Sequence, residues 1–308
     1  MKKKSAVVLF SVAFVFLLSV SVCFAVQGRY RREWNNQTML RMEVPYEREH
    51  PTGRAAEYFA ALVSERSGGQ MEVAVTYNTK PGSANEIVTQ LQFGGIAFAA
   101  VSFFDLCEDL PGLDRFVAAY ASPEEAQDGY RRQREVIQEE LSKERMLMLS
   151  CYRPDYRCIA GKREPGPGGE FGGMKIHAAK TAALTVYLVN RGVECENFGR
   201  TDLLRAVDSG SIDGCEMPLL LYGRAGYDKV MPYVWIYDEF LVPDMLMASS
   251  VSLGNLSDEQ RRILQECAEL TEDYQVKQLN EAQTRQWELL REKEAPAVLW
   301  SEREQVPR

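Results

Sequence analysis

The sequence predicts an α/β protein of two lobes braced by a long C-terminal helix. Three observations carry that reading. A strand–helix–strand–helix–strand order runs from Met39 to Val101, a second such order runs from Met174 to Cys215, and an unusually long helix opens at Ser257. Strands alternating with helices are what a doubly wound sheet needs, because each helix covers one face of the strands it connects.

The chain opens on Met1-Lys2-Lys3-Lys4, followed by an apolar run from Ala6 to Val22 and then Cys23-Phe24-Ala25. A basic start, an apolar stretch and small residues at the −3 and −1 positions describe an export leader over 1–25, cleaved after Ala25. The mature protein is therefore expected in the periplasm, starting near Val26. A retained membrane anchor is the alternative, but the apolar run is just short of a comfortable span. Lipid anchoring at Cys23 is less favoured, since Val20-Ser21-Val22-Cys23 puts a bulky Val where such sites carry Gly, Ala or Ser.

Met39 to Val44 reads as the first strand. After His50-Pro51-Thr52-Gly53, apolar residues at Ala55, Tyr58, Phe59, Leu62 and Val63 share one helical face, and Ser67-Gly68-Gly69 stops that helix. Met71 to Tyr77 alternates with period two, a strand with one buried face. Pro81-Gly82-Ser83 turns into a short helix carrying Ile87, Val88 and Leu91. The unbroken apolar run Ile96 to Val101 then suits a strand buried on both faces of a mainly parallel sheet. Ser122-Pro123-Glu124-Glu125 is a capping box with proline at the first helical position; it opens a charged helix with Ala126, Tyr130, Ile137 and Leu141 inward. Met146 to Cys151 is another strand.

Arg163 to Gly169 is a loop by every local signal. Its glycines invite a phosphate-cradle reading, but no Lys-Ser/Thr follows and the next element is a strand. Met174 to Ala178 is that strand, Thr181 to Arg191 a helix, Gly192-Val193 the turn to a further strand, Asp202 to Val207 a helix capped by Thr201 or Asp202, and Ile212 to Cys215 a strand. Ser257-Asp258-Glu259-Gln260 caps the long helix, with Ile263, Leu264, Cys267, Leu270, Tyr274, Leu279 and Trp287 along it. Polar residues interrupt its heptad seam, so a strut linking two lobes fits better than a coiled coil.

Composition narrows the function. The net charge of −8, without any Lys/Arg-rich patch interleaved with aromatics, argues against a nucleic-acid partner. Beyond Cys23 the cysteines are Cys107, Cys151, Cys158, Cys195, Cys215 and Cys267, in a compartment that permits disulfides. Cys151 and Cys158 bracket a short segment, and Cys195 and Cys215 fall on strands expected to be neighbours. Pairing does not follow from sequence, and buried free thiols are an equal reading. With only His50 and His177, a His-rich metal site or a Ser-His-Asp triad has few candidates, and neither H-E-x-x-H nor G-x-S-x-G occurs. Cys215 near His177 is the single Cys–His pairing that the inferred topology permits. No cofactor, metal or catalytic residue is called for.

Two segments point further. Gly172-Gly173-Met174-Lys175-Ile176-His177 and Ala206-Val207-Asp208-Ser209-Gly210-Ser211-Ile212-Asp213-Gly214-Cys215-Glu216-Met217-Pro218 resemble the ligand-domain signature of the extracytoplasmic solute receptors of TRAP (tripartite ATP-independent periplasmic) transporters. The "H-P" at His50-Pro51, the "S-G-G" before a strand and the "Q-x-G" turn from Gln90 to Gly94 resemble that family's first lobe. The resemblance spans roughly Met39 to Glu294. It implies a two-lobed periplasmic-binding-protein-like fold with a long C-terminal strut helix. In the family, "G-L-K-I-R" supplies an arginine that clamps the ligand's carboxylate, and "D-G-x-E-N-P" closes the pocket. Here His177 stands at the clamp position and Met217 at the asparagine, so this chain reads as a variant without the clamp arginine.

In open α/β sheets the cleft lies beyond the carboxyl ends of the strands, where the sequence places Tyr46, Ser102, Arg157, His177 and Met217. The resemblance makes four of these five ligand-contact positions, and Arg157 in Asp155-Tyr156-Arg157-Cys158 matches a second family arginine. An imidazole cannot copy a guanidinium's permanent bidentate fork. His177 therefore either donates one hydrogen bond to an uncharged ligand, leaves recognition of acids to Arg157, or is a core residue. Met217 replaces an amide by flexible apolar surface. Both changes move the expected ligand toward a less polar molecule.

Lobe I is expected over 38–154, completed by 243–282, and lobe II over 155–242, completed by 283–308, with crossings at Pro154 and Pro243. The functional expectation is a non-enzymatic receptor that closes by a hinge around a small organic acid or more hydrophobic molecule and delivers it to TRAP membrane subunits. A tetratricopeptide-repeat protein is a further partner implied by the resemblance. The alternative is a protein-docking or sensor module on the same scaffold, with little solute binding of its own.

Overall fold

A computed structural model describes residues 37–80, 83–166, 169–196, 203–224, 226–237, 239–292 and 297–300. The expected leader, Cys23, the mature start near Val26 and the Thr201/Asp202 cap lie outside those residues. Among the described residues no helix is long and apolar enough to cross a membrane.

Two mixed sheets organise the chain. The first holds β1 (Thr38–Val44), β2 (Met71–Tyr77), β3 (Phe98–Ser102), β4 (Met146–Cys151) and β10 (Asp244–Ser249), in the order β2-β1-β3-β10-β4. The second holds β5 (Arg157–Gly161), β6 (Lys175–His177), β7 (Glu194–Glu196), β8 (Gly214–Pro218), β9 (Tyr233–Tyr237) and β11 (Ala297–Trp300), in the order β11-β9-β5-β8-β6-β7. The expected parallel core is present where β1 runs parallel to β2 and β3, and where β6 runs parallel to β7 and β8. Strands made as the chain changes sheets enter in the opposite sense: β10 is antiparallel to β3 and β4, and β5 to β8 and β9. Cys195 on β7 and Cys215 on β8 are not neighbours, because β6 lies between them. All six described cysteines are free thiols.

Local chemistry explains the helix ends. Helix α1 (Pro51–Arg66) starts where His50 Nδ1 accepts from Thr52 N at 3.2 Å. Helices α2 (Ser83–Phe93) and α3 (Phe103–Asp109) flank β3, and Ser102 Oγ caps α3 by accepting from Phe104 N. The expected capping box forms: Ser122 Oγ accepts from Glu125 N at 3.1 Å while Glu125 Oε2 accepts from Ala121 N at 2.8 Å. The helix that follows is two helices rather than one, α4 (Pro123–Arg132) and α5 (Arg134–Lys143), parted at Gln133 with φ −92° and ψ 4°. The second sheet carries α6 (Ala182–Asn190), α7 (Leu203–Asp208) and α8 (Leu219–Arg224).

Helix α9 (Asp258–Glu292) has 35 residues, a length of about 50 Å at 1.5 Å per residue. It packs on α1 from its start to past its middle, where Tyr58 and Tyr274 stack at 4.2 Å and Arg54 Nη1 donates to Gln278 at 2.8 Å. Further along, Trp287 meets Tyr156 edge to face at 6.0 Å. The buried polar residues that break its heptad face the chain as it leaves β4. Glu272 Oε1 accepts from Cys151 N at 2.9 Å, and Gln275 both accepts from Arg153 N at 3.0 Å and donates to Arg153 O at 3.1 Å. Cys151 N lies on the open outer edge of β4 and Arg153 has just left that strand, so a helix side chain supplies the partner that a further ladder would otherwise give.

Two tests follow. A Cβ on Gly214 would stand 2.1 Å from the Ala160 carbonyl oxygen across the β8–β5 ladder. Gly214→Ala should therefore cost about 1–3 kcal/mol in urea unfolding; a cost near zero would contradict this packing. Burial lifts the Asp155 carboxyl from 3.8 to about 6, against hydrogen bonds from Gln283 Nε2 at 3.0 Å and Leu220 N at 2.8 Å. The folded state then holds this proton over a range where the unfolded chain has lost it, so the group's contribution to stability falls as pH rises from about 4 to about 6. Asp155→Asn should remove that part of the slope in melts taken from pH 4 to 7.

Candidate functional site

The two sheets meet where β1 and β3 end and β10 and β5 begin. Tyr46, just past β1, stacks on His50 at 4.3 Å and donates from its hydroxyl to Asp244 Oδ1 at 2.7 Å. Thr52 Oγ1 donates to the other oxygen, Oδ2, at 2.5 Å. Ser102 is the ladder partner of Asp244, at the end of β3. Burial pushes the Asp244 carboxyl up, and the Thr52 and Tyr46 hydrogen bonds and the nearby Arg157 charge pull it back. Tyr46 thus binds a partly buried carboxylate that sequence reasoning did not single out, with Ser102 beside it in the ladder and the Arg157 charge close enough to act on it.

Arg157 opens β5, with its neighbours in register on both sides: Tyr237 on β9 and Pro218 on β8. Alternation along the strands sets which side chains it meets. Arg157, Glu216 and Tyr237 share one face of the second sheet, and the guanidinium grips the Glu216 carboxylate through two nitrogens, Nη2 to Oε2 at 2.8 Å and Nε to Oε1. Tyr237 donates its hydroxyl to the same Oε1. Phe104, from α3 of the first sheet, lies under the guanidinium at 4.7 Å, a cation–π contact between the two halves. Burial lowers the Arg157 pKa, but the Glu216 charge and hydrogen bonds outweigh it, so the group is held above its ordinary value. Burial and then Glu216 push the Tyr237 phenol far up. The result is a locked, fully paired cation.

His177 ends β6 as the ladder partner of Cys215. Burial pushes its imidazole below the ordinary 6.5, with Glu216 and the Glu196 main chain opposing. Near pH 7 the ring is neutral, and its Nδ1 is buried with no hydrogen-bond partner. Burial holds the Cys215 thiol up at about 12, so the adjacent pair has neither a thiolate nor an imidazolium. Met217 lies on the face of the second sheet away from the Arg157–Glu216 pair, the face that Cys215 shares with its ladder partner His177. One step along β8 from Glu216, it points to the opposite face and packs with Cys158, Cys215, Tyr222 and Ile236 at 2% exposure. Among the described residues no group of three or more His, Cys, Asp or Glu could hold a metal ion.

Glu216, Asp244 and Phe104 were missed by sequence reasoning, as was the pairing of Tyr237 with Glu216. Glu216 alone carried a signal, as the acidic residue of the Gly214-Cys215-Glu216-Met217-Pro218 segment. The others are distant in sequence from the partners they meet.

The family model described as DctP, bacterial extracellular solute-binding protein, family 7, matches residues 43–305. A solute-binding protein of Chromohalobacter salexigens is 23% identical over 259 residues, covering 82% of this chain and 74% of the relative. Among solved structures, a TRAP periplasmic solute-binding protein of Sulfitobacter sp. NAS-14.1 with bound β-D-galacturonate superposes with a TM-score of 0.76 at 17% identity, covering 85% of this chain and 88% of the other. One from Haemophilus influenzae with L-gulonate gives 0.76 at 15% identity, covering 87% and 88%. One from Chromohalobacter salexigens with D-glucuronate gives 0.71 at 20%, covering 81% and 85%.

The buried pair yields a direct test. Removing Glu216 alone leaves an uncompensated buried guanidinium, so Glu216→Leu should destabilise the protein by about 3–5 kcal/mol. Replacing both partners, Arg157→Met with Glu216→Leu, should recover most of that loss in denaturant titrations. If the double variant is as unstable as the single one, the charge pairing is not what Glu216 contributes.

Proposed function

The chain belongs to family 7 of the bacterial extracellular solute-binding proteins, the receptors of TRAP transporters, and on that premise we propose that it captures a small ligand with a substantial apolar body. The two halves close on the ligand by a hinge at the Pro154 and Pro243 crossings and present it to TRAP membrane subunits. A partly hydrophobic cargo of this kind also suits an associated tetratricopeptide-repeat protein as a further partner. The contact residues in this reading are Arg157, His177, Ser102 and Tyr46, with Phe104 and Tyr237 supplying ring surface. Export by a leader cleaved after Ala25 completes the proposal.

One observation carries the ligand class. The arginine of the junction already holds a carboxylate inside the protein, and the position where the family clamp would sit is a neutral imidazole with a buried acceptor or donor atom to offer. A hydrophilic acid entering here finds no unpaired cation among these residues, whereas apolar surface gains about 25 cal/mol per Å² removed from water. His177 is suited to a single hydrogen bond with an uncharged ligand group. A sugar acid is the second reading, favoured by the uronates and the aldonate bound in the solved relatives.

Native mass spectrometry of the purified protein, with identification of any retained molecule, tests the receptor reading; a protein that never retains a ligand would favour the docking-module alternative. Calorimetric titration with D-glucuronate and D-galacturonate separates the ligand classes: weak or absent heat is expected, and tight binding would establish the sugar-acid reading instead. His177→Arg should restore a clamp and raise the affinity for such acids by tenfold or more, the effect of about 1.4 kcal/mol.

A further inference from the structure

A second set of contacts joins the two halves away from the Arg157 junction. In the first half, the last turn of α3 carries Glu108 and a 3₁₀ turn over Pro111–Phe116 carries Asp114. In the second, Thr181 caps α6 with its hydroxyl, accepting from Leu184 N at 3.3 Å. Asp114 Oδ2 accepts from the Ala182 main-chain N–H at 2.8 Å, and the Glu108 carboxylate accepts from the main chain of Lys180. Two carboxylates of one half therefore meet the amino end of a helix in the other. Unpaired N–H groups and the positive end of the helix dipole favour negative charge there. The neighbouring rim adds Tyr120 N donating to the Glu239 carbonyl at 3.2 Å.

We propose that Asp114, with Glu108 beside it, is a closure latch: it docks on the amino end of α6 only when the two halves are shut, and so sets the fraction of closed protein, and through it ligand residence, without touching the ligand. The inference rests on the hinge-closing reading above. Any motion that parts the sheets must break the Asp114–Ala182 bond and return the carboxylate to water. None of Glu108, Asp114, Lys180 or Ala182 belongs to the Arg157 junction, so the contact is independent of ligand chemistry. Asp114 is a positioning residue in this scheme.

Ala182 provides a variant that leaves the helix intact. It occupies the first helical position after the Thr181 cap, Thr181 is extended at φ −120° and ψ 147°, and the Ala182 side chain is exposed. Proline is favoured at that position and tolerates an extended predecessor. Ala182→Pro therefore deletes the N–H that Asp114 binds while preserving α6. Spin labels on Cys195, the exposed cysteine, and on Val136→Cys, 47% exposed on α5, report the separation of the halves by pulsed electron resonance. With no ligand added, the labelled protein should show closed and open distances. Asp114→Ala and Ala182→Pro should each lower the closed-to-open ratio threefold or more, with melting temperatures of Ala182→Pro unchanged. Two distances whose ratio neither variant alters would overturn the latch and leave the hinge standing. A single distance in every variant would overturn both.

Discussion

The structure depends on what happens to the backbone where the chain leaves one sheet for the other. Main-chain N–H and C=O groups at such a crossing have no ladder to join, and burying them unpaired would cost the desolvation of each group. Helix α9 removes that cost. Glu272 and Gln275 take the main chain at Cys151 and Arg153, and Gln283 takes the Asp155 carboxylate. The helix is also long enough to touch both halves, through Tyr274 on Tyr58 and Trp287 on Tyr156. The strut and the crossings are thus one unit: the polar residues that make α9 a poor coiled coil are the ones that make it a good splint.

Against this frame the Arg157–Glu216 pair has a specific consequence. A buried ion pair contributes little net stability, since desolvation of both charges offsets their attraction. It does fix geometry. The bidentate fork, the Tyr237 hydroxyl and the Phe104 ring hold the guanidinium in one orientation at the floor of the junction. Charge is cancelled there while hydrogen-bonding direction is kept, and the neutral His177 ring stands close enough to Glu216 to sense its field.

Local signals carried much of the fold. Period-two alternation from Met71 to Tyr77, the one-faced helix after Pro51 and the Ser122 capping box all correspond to elements with nearly those bounds. These depend on neighbours in sequence, which periodicity reads directly. What the residues could not show was pairing at a distance. Strand β10 looks like any apolar run, and its central place in the first sheet depends on partners about 100 and 145 positions away. The same limit applies to the site. Arg157 and His177 stood out as polar residues at strand ends, but Glu216 gains its meaning from Arg157, and Asp244 from Tyr46 and Thr52. Met217 shows the cost of reading a motif without its pleat: adjacent residues of a strand face opposite sides, so Glu216 and Met217 cannot both line one surface.

The place of β10 also governs how the protein can be made. In the first sheet β4 is joined to the rest only through β10. Until residue 244 exists, β3 lacks a partner on that side and β4 has none, although both were synthesised long before. A chain emerging amino end first must therefore carry open edges on β3 and β4 while the whole of 152–243 is produced. Open edges are templates for wrong pairing, and closing contacts over such separations is intrinsically slow. Completion of the first sheet is consequently timed by the synthesis of 152–243, and that interval is the period in which this protein is most exposed to aggregation.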